Sequence, residues 1–599
     1  MSATNPDVND SVSAAQMLLT ELAGSGLPPA YAKLYSQHTR LSSHQSGLTG
    51  WRDDEAEQRL HDAARLISAS LTVRDQQDID WREGLRRAAE LLEWLSHDEL
   101  NVDNVPTKLL AASAYQIAGY PARSTGLLDH SGEQGEQSRI LRSLLKADFR
   151  SLLRVLVGYW SQRSSQPTST ERQLRWQNPN ELAQDITELI TTEVARSLGV
   201  VCAAIRWGDD LRLSRAISKL GMVADVVLHG TDPYSWMLAK LVSVVVQVQM
   251  DASLRSSLND LSTVAPNSGN NALERYLRNN YMSSRTLAWP SQRKGIARLG
   301  EQRSFALCTP TGSGKTAVAE VAVLHSLFMQ PDQPPDPGTT LTSNEPIALY
   351  LVPSRALAFE VEGKLEHVLR RLGQRVLVTG LYGGFDWGPT DAWLTADDKT
   401  VLICTYEKAE ALIRFVGPLF LDRVRIVVID EAHQVQFDDN YESLYRNENR
   451  PLRLESLGTR LFSDAQARGS RVIALSAVAG GIDSVLSSWI TGSIDSDPVT
   501  ADYHSTRQLI GFIDCGINGE TSIQYDLLDG ADLRFSPDGS GAQKPFVPNP
   551  FPRCPDANSW GREGAEKRIR PHLFWSAIHL AQPDEAGRQR GVLISVTQS

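Results

Sequence analysis

The run Cys308-Thr309-Pro310-Thr311-Gly312-Ser313-Gly314-Lys315-Thr316 has the residue types and spacing to hold phosphate. Glycines let backbone N–H groups turn inward around an anion, and the start of a helix adds a favourable partial charge. Phe305-Ala306-Leu307 precede the loop, and apolar positions at Ala317, Val318, Val321, Ala322 and Leu324 follow it with helical spacing. Strand, glycine loop, helix is the context in which such a loop cradles a nucleotide. Thr311, Gly312, Ser313 and Gly314 supply the cradle. Lys315 is expected to reach the β- and γ-phosphates, and the Thr316 hydroxyl to take a place on Mg²⁺.

Val427-Val428-Ile429-Asp430-Glu431-Ala432-His433 is the second chemical signal. An apolar strand there delivers two carboxylates at its C-terminal end, where ligands sit in α/β sheets. Asp430 is expected to hold Mg²⁺ and Glu431 to orient or deprotonate an attacking water. Phosphoryl transfer needs mostly positioning and charge stabilisation, so few groups suffice. An isolated string of this kind is often an exposed acidic turn. Its place on an apolar strand, roughly 115 residues after the phosphate loop, argues for the chemical reading.

The elements that must position these groups are legible as alternation. Short apolar runs at 304–308, 347–352, 375–380, 400–404, 425–429 and 471–475 alternate with helical patterns. Val427-Val428-Ile429 is apolar on both faces, as central parallel strands are. The pattern predicts an α/β P-loop domain of parallel strands covered by helices, over 281–505. Residues 13–260 read as a helical N-terminal domain. In Trp81 to Leu95, for example, Leu85, Ala88, Ala89, Leu92 and Leu95 fall on one helical face. Thr107 to Ser124 reads as one helix-turn-helix unit with its turn at Gly119-Tyr120-Pro121. Residues 1–12 read as disordered and 261–280 as a linker rich in turn formers. The proline-rich Gln330 to Pro346 reads as a surface insertion, and 506–570 as an irregular connection. A helix from His572 to Ala581 and a strand from Gly591 to Val596 follow.

Bulk properties bound the alternatives. A chain of 599 residues exceeds one core. Its net charge of −11 excludes a polybasic binder but not a local basic groove. The five cysteines form no C-x-x-C pair, so neither a zinc ribbon nor a disulfide framework is expected. The N-terminus lacks an apolar signal core, and Leu238 to Met250 is too short and polar to span a bilayer. A cytoplasmic protein without a membrane partner is expected.

Taken together, the motifs resemble those of superfamily 2 helicases of the DExH-box group. The resemblance covers about 285–510 well and 570–599 faintly. It implies a RecA-like lobe that binds ATP and Mg²⁺. Trp289-Pro290-Ser291-Gln292 resembles the family motif whose glutamine reads the adenine edge. Val352-Pro353-Ser354-Arg355 resembles motif Ia, Gly383-Gly384 the glycine pair of motif Ib, and Thr405-Tyr406-Glu407-Lys408 the element after it. These imply contacts from Pro353, Arg355, Gly383, Gly384, Thr405 and Glu407 to a nucleic-acid backbone. His433, Ser476 and Ala477 then match positions that couple hydrolysis to strand movement. Arg453-Leu454-Glu455-Ser456-Leu457 and Ser488-Trp489-Ile490 resemble the Ski-like branch.

Two departures qualify the match. Motif III is usually Ser-Ala-Thr and here reads Ser476-Ala477-Val478. Residues 571–599 resemble only the beginning of a second RecA-like lobe, so the chain is expected to be truncated. The implied function is an ATP-dependent helicase or translocase on single-stranded or partly duplex DNA or RNA. The alternatives are a non-catalytic nucleotide-binding subunit whose helical N-terminal half docks a protein partner, or half of a split motor.

Overall fold

The computed structural model describes residues 6–24, 53–74, 80–96, 105–129, 135–163, 179–230, 232–262, 265–330, 345–383, 398–436, 442, 445, 449–477, 483–494, 496–501, 508–515, 520–528, 531–532, 546–555 and 565–582. The chain divides into two compact units, one of residues 119–505 and one joining 1–118 to 506–599. Composition placed a boundary near residue 260. The contacts instead keep the helical residues 119–260 with the α/β domain.

The larger unit is built on seven parallel strands: β1 (Phe305–Cys308), β2 (Ile347–Val352), β3 (Val376–Leu381), β4 (Lys399–Thr405), β5 (Val424–Ile429), β6 (Arg471–Ser476) and β7 (Val499–Thr500). Their order is β3-β4-β2-β5-β6-β1-β7. Every residue of β1, β2 and β6 is buried, as strands covered on both faces must be. Helices 290–300, 315–328 and 355–369 contribute to the core on one face, and helices 406–421, 450–468 and 483–491 to the core on the other. The fold is RecA-like, and β5 and β1 lie either side of β6. That order sets the acidic strand end close to the phosphate loop.

Two expectations fail within this unit. Residues 267–282 form a helix, Asn267–Met282, not a linker. Its turn formers occupy the first turns, while Ala272, Leu273, Tyr276, Leu277 and Tyr281 are buried at helical spacing. Gly269 lets that helix approach a neighbour, because a Cβ there would stand 2.3 Å from the Phe328 carbonyl oxygen. The two-residue β7 was not anticipated; it is too short to leave a pattern. Most of the Gln330–Pro346 insertion, like Gly384, Val478 and the strand at 591–596, lies outside the described residues.

The smaller unit contains the helices Pro6–Gly24, Asp53–Thr72, Trp81–Leu95 and Thr107–Ala118. Residues 1–12 were expected to be disordered, yet a helix begins at Pro6 and buries Ala15 and Leu19. Proline is suited to a first helical turn. Residues 506–570 were expected to be irregular. They carry β8 (Leu509–Cys515), β9 (Thr521–Leu528), β10 (Ala531–Asp532) and β11 (Phe546–Pro548), antiparallel about β9. β8, β9 and β10 are consecutive in sequence, and the Gly and Pro around and after them drew the reading towards an irregular connection. The helix expected from His572 to Ala581 is present and begins earlier, as Ala565–Leu580.

Candidate nucleotide and nucleic-acid site

β1 ends in the loop 309–314 and the helix Lys315–Phe328 begins at its far side. Gly312 and Gly314 adopt φ of +79° and +84°, a region that disfavours side chains. The loop is braced from three directions. Thr309 N–H donates to the Ser476 carbonyl at 3.2 Å, and the Thr309 and Ser313 hydroxyls pair at 2.7 Å. Ser291 donates to the Ser313 carbonyl at 2.7 Å. Gln292 donates through Nε2 to the Gly314 carbonyl at 3.3 Å and accepts the Trp289 N–H through Oε1 at 2.9 Å. A Cβ on Gly314 would stand 2.1 Å from Gln292 Nε2. The backbone angle therefore favours glycine there, and any side chain would also have to push the Gln292 carboxamide aside.

The Lys315 ammonium donates to the carbonyls of Thr309 at 2.8 Å and Pro310 at 3.1 Å. Burial lowers its pKa, and the charges of Glu431 and Asp430 oppose that shift. Asp430 follows β5 directly. Its backbone N–H donates to Leu351 O at 2.8 Å. Its carboxylate accepts from the Tyr350 hydroxyl at 3.0 Å and from the Glu431 N–H at 3.0 Å. Its carbonyl accepts from the Tyr406 hydroxyl. Burial is the main reason its pKa is raised. A buried carboxylate of this kind gains from a cation brought beside it.

Glu431 sits at φ +51°, left-handed and uncommon for a residue with a Cβ. The kink turns the chain sharply into the short 3₁₀ turn Ala432–Val435. His433 Nδ1 lies 3.3 Å from Glu431 Oε2, without the alignment of a hydrogen bond. Lys315, Thr316, Asp430, Glu431, Trp289 and Gln292 all line one cavity of about 1390 Å³. The cavity exceeds the roughly 300–1,000 Å³ typical of small-ligand sites. Glycines without Cβ atoms, a lysine, a threonine hydroxyl and a buried carboxylate form a donor set that fits a polyphosphate with a divalent cation. Ser476 is buried at the end of β6 and Ala477 follows it, half-buried, so both lie behind the loop.

The second set of residues lies along the same strand ends. Pro353 is buried just past β2, while Ser354 and Arg355 are exposed at the start of helix Arg355–Leu369. Gly383 is exposed after β3, Thr405 is buried at the end of β4, and Glu407 is exposed in the first turn after it. Arg450 gathers several of them. It donates to the Pro353 carbonyl, pairs with Glu407 at 2.9 Å, and lies 5.7 Å over the Tyr406 ring. A carboxylate repels phosphate, and the Glu407 carboxylate here is paired with Arg450.

Sequence reasoning missed Arg450, Tyr350 and Tyr406 as site residues. Tyr406 stood only inside the Thr405–Lys408 element and Tyr350 was not singled out; their hydroxyls reach Asp430 from β2 and from the start of the helix after β4. Arg450 follows Asn449, whose side chain caps the helix Arg450–Arg468, and that helix-start pattern was the available signal.

Residues 289–482 match the family model described as DEAD/DEAH box helicase. Hachiman protein HamB of Bacillus cereus is 27% identical over 367 residues, which cover 60% of this chain and 29% of that protein. ATP-dependent DNA helicase Hel308 of Aeropyrum pernix is 30% identical over 223 residues, 35% of this chain and 25% of that one. The chain thus spans less than a third of the length of either relative. A crystal structure of the DUF1998 helicase MrfA bound to DNA aligns with 40% of this chain and 30% of its own, at 18% identity and a TM-score of 0.28. A score that low adds no weight. Among the described residues, no helix is long and apolar enough to cross a membrane.

Proposed function

We propose that the DEAD/DEAH box stretch of this chain is the ATP-binding lobe of a nucleic-acid helicase or translocase. The observation that carries this reading is the shared cavity. The loop after β1 and the acid pair after β5 bring Lys315, Thr316, Asp430 and Glu431 to one opening. Loop amides and Lys315 hold the phosphates, Thr316 and Asp430 hold Mg²⁺, and Gln292 reads the base. Mg²⁺, when bound, neutralises charge on the phosphate oxygens. Glu431 orients the attacking water and accepts its proton. His433, Ser476 and Ala477 sit where a change at the phosphates can reach the neighbouring strand ends. Ser354, Arg355, Gly383 and Arg450 offer a surface suited to a phosphate backbone rather than to base edges, so binding is sequence-tolerant and weakens with salt.

ATP turnover with and without single-stranded DNA or RNA tests this, alongside Glu431→Gln. The proposal expects stimulation by one nucleic acid, and a variant that still binds ATP but has lost turnover. Unchanged turnover in Glu431→Gln would remove the assigned role of the acid pair.

A further inference from the structure

The segment that delivers Gln292 is held by the helical residues that precede it. Residues 283–289 lie between the helices Asn267–Met282 and Pro290–Gly300 and belong to neither. Two turns of the helical part grip this segment. At the first, Ala252-Ser253-Leu254, Leu254 N–H donates to Thr286 O at 2.8 Å and Ala288 N–H donates to Ala252 O at 2.8 Å. Ser253 and Leu287 thereby form an isolated antiparallel bridge. At the second, around 147–150, Arg150 donates to Met282 O at 2.9 Å, Ser284 to Asp148 Oδ1 at 3.0 Å, and Tyr281 to Phe149 O at 3.3 Å. Ala147 and Ser284, both at positive φ near +55°, mark tight turns on either side of this grip.

Four residues past Ala288, Gln292 spans from Trp289 N–H to the Gly314 carbonyl. A carboxamide that distinguishes one base edge from another must be held to within about 0.5 Å. Pro290 at its first position, the Gln292 cap on Trp289 N–H and the Ser291 bond to the Ser313 carbonyl define where helix Pro290–Gly300 starts, but they do not tie the chain that enters it to the helical part. The grip on 281–288 adds that tie, and it comes from the turns that follow helices Pro233–Asp251 and Glu136–Leu145.

We propose that the described helices between residues 121 and 262 set the base selectivity of the nucleotide site by holding segment 281–288, with Tyr281 and Ser284 as positioning residues for Gln292. The inference rests on the reading of Gln292 as the adenine contact. It makes the helical part a component of nucleotide recognition rather than an appendage. Linkage requires the converse, so a correct base must tighten the grip.

The test uses the full chain. Affinities for MgATP and MgGTP are measured for the wild type, Gln292→Ala, Tyr281→Phe, Ser284→Ala and the Tyr281→Phe/Ser284→Ala double variant. The wild type prefers ATP, and Gln292→Ala abolishes the preference. The double variant narrows the ATP:GTP ratio about three- to tenfold, the effect of losing one or two hydrogen bonds, and leaves pyrophosphate affinity unchanged. Amide exchange on the wild type adds a readout that needs no variant: MgATP slows exchange at 252–254 and 284–288, and MgGTP does not. An unchanged ratio in the double variant, or ATP protection confined to 309–316, overturns the inference while Gln292→Ala still loses selectivity. A wild type without base preference, or a Gln292→Ala that keeps it, instead removes the reading on which the inference stands.

Discussion

Charged groups are buried at both ends of the seven-stranded sheet, and the two ends handle them differently. At the N-terminal edge, Arg471 opens β6. Its guanidinium donates to His325 Nδ1 at 2.7 Å, Leu299 O at 2.9 Å and Ser326 Oγ at 3.4 Å. Burial lowers its pKa to about 10. Burial, with the Arg471 charge behind it, lowers that of His325 to about 4. This end is closed on itself. At the C-terminal edge, Asp430 is buried to a similar degree and Lys315 is half-buried, and both line an open cavity. A perturbed pKa alone does not separate a structural cluster from a functional one. What separates them is whether the partners are internal or face a space that a ligand can fill.

The sharpest way to break this contrast is to exchange the phenotypes. Arg471→Ala removes the guanidinium from His325, the Leu299 carbonyl and Ser326, leaving His325 to Gln330 and the Leu299 carbonyl to Gln302 N–H, and should cost on the order of 1–3 kcal/mol of stability. Urea unfolding would show it, with MgATP affinity unchanged at temperatures where the variant is folded. A variant of unaltered stability would mean that this end is not a structural cluster.

Lys315→Ala should do the reverse. MgATP affinity should fall ten- to hundredfold, the range for losing a hydrogen bond to a charged group. Stability should shift little, because among the described residues the partners of Lys315 are loop carbonyls at a partly open site. Calorimetric titration and a melting curve together decide it.

The third test uses pH. Folded His325 titrates near 4, below the ordinary imidazole value of 6.5. The unfolded chain therefore takes up a proton that the folded one resists. Stability from this group is complete above pH 6.5 and is lost as pH falls from 6.5 towards 4. Between pH 7.5 and 5 the loss should be roughly 2 kcal/mol. His325→Gln should flatten that part of the profile.

The smallest effect concerns the nucleic-acid surface. Arg450→Ala frees the Glu407 carboxylate and the Pro353 carbonyl, and should weaken single-strand binding about three- to tenfold at low salt. MgATP affinity should not move. Adding Glu407→Gln should restore part of the loss, because the freed carboxylate is then gone. Equal binding by the single variant would detach Arg450 from that surface.

The same contrast explains what was legible in the sequence. The loop at 309–316 and the acid pair at 430–431 are contiguous, so spacing and residue type announce them. Six of the seven strands were readable because each is a short apolar run buried on both faces. Arg450 and Tyr350 reach the site from other elements, 97 and 80 residues from the groups they bond. No local pattern records that. The helix at 267–282 was masked by Asn267-Ser268-Gly269-Asn270-Asn271, whose turn propensity is overridden by the apolar face that follows. Strands β8 and β9 pair with each other across a short connection, yet the density of glycine and proline in the stretch that follows them drew the whole segment into an irregular reading.

The most direct measurement is the position of a non-hydrolysable ATP analogue with Mg²⁺, determined crystallographically in this chain. The account predicts the phosphates against residues 311–316, the metal between Thr316 and Asp430, and the base against Gln292. Density for the analogue elsewhere in the molecule, or phosphates that leave Lys315 on the carbonyls of Thr309 and Pro310, would contradict it.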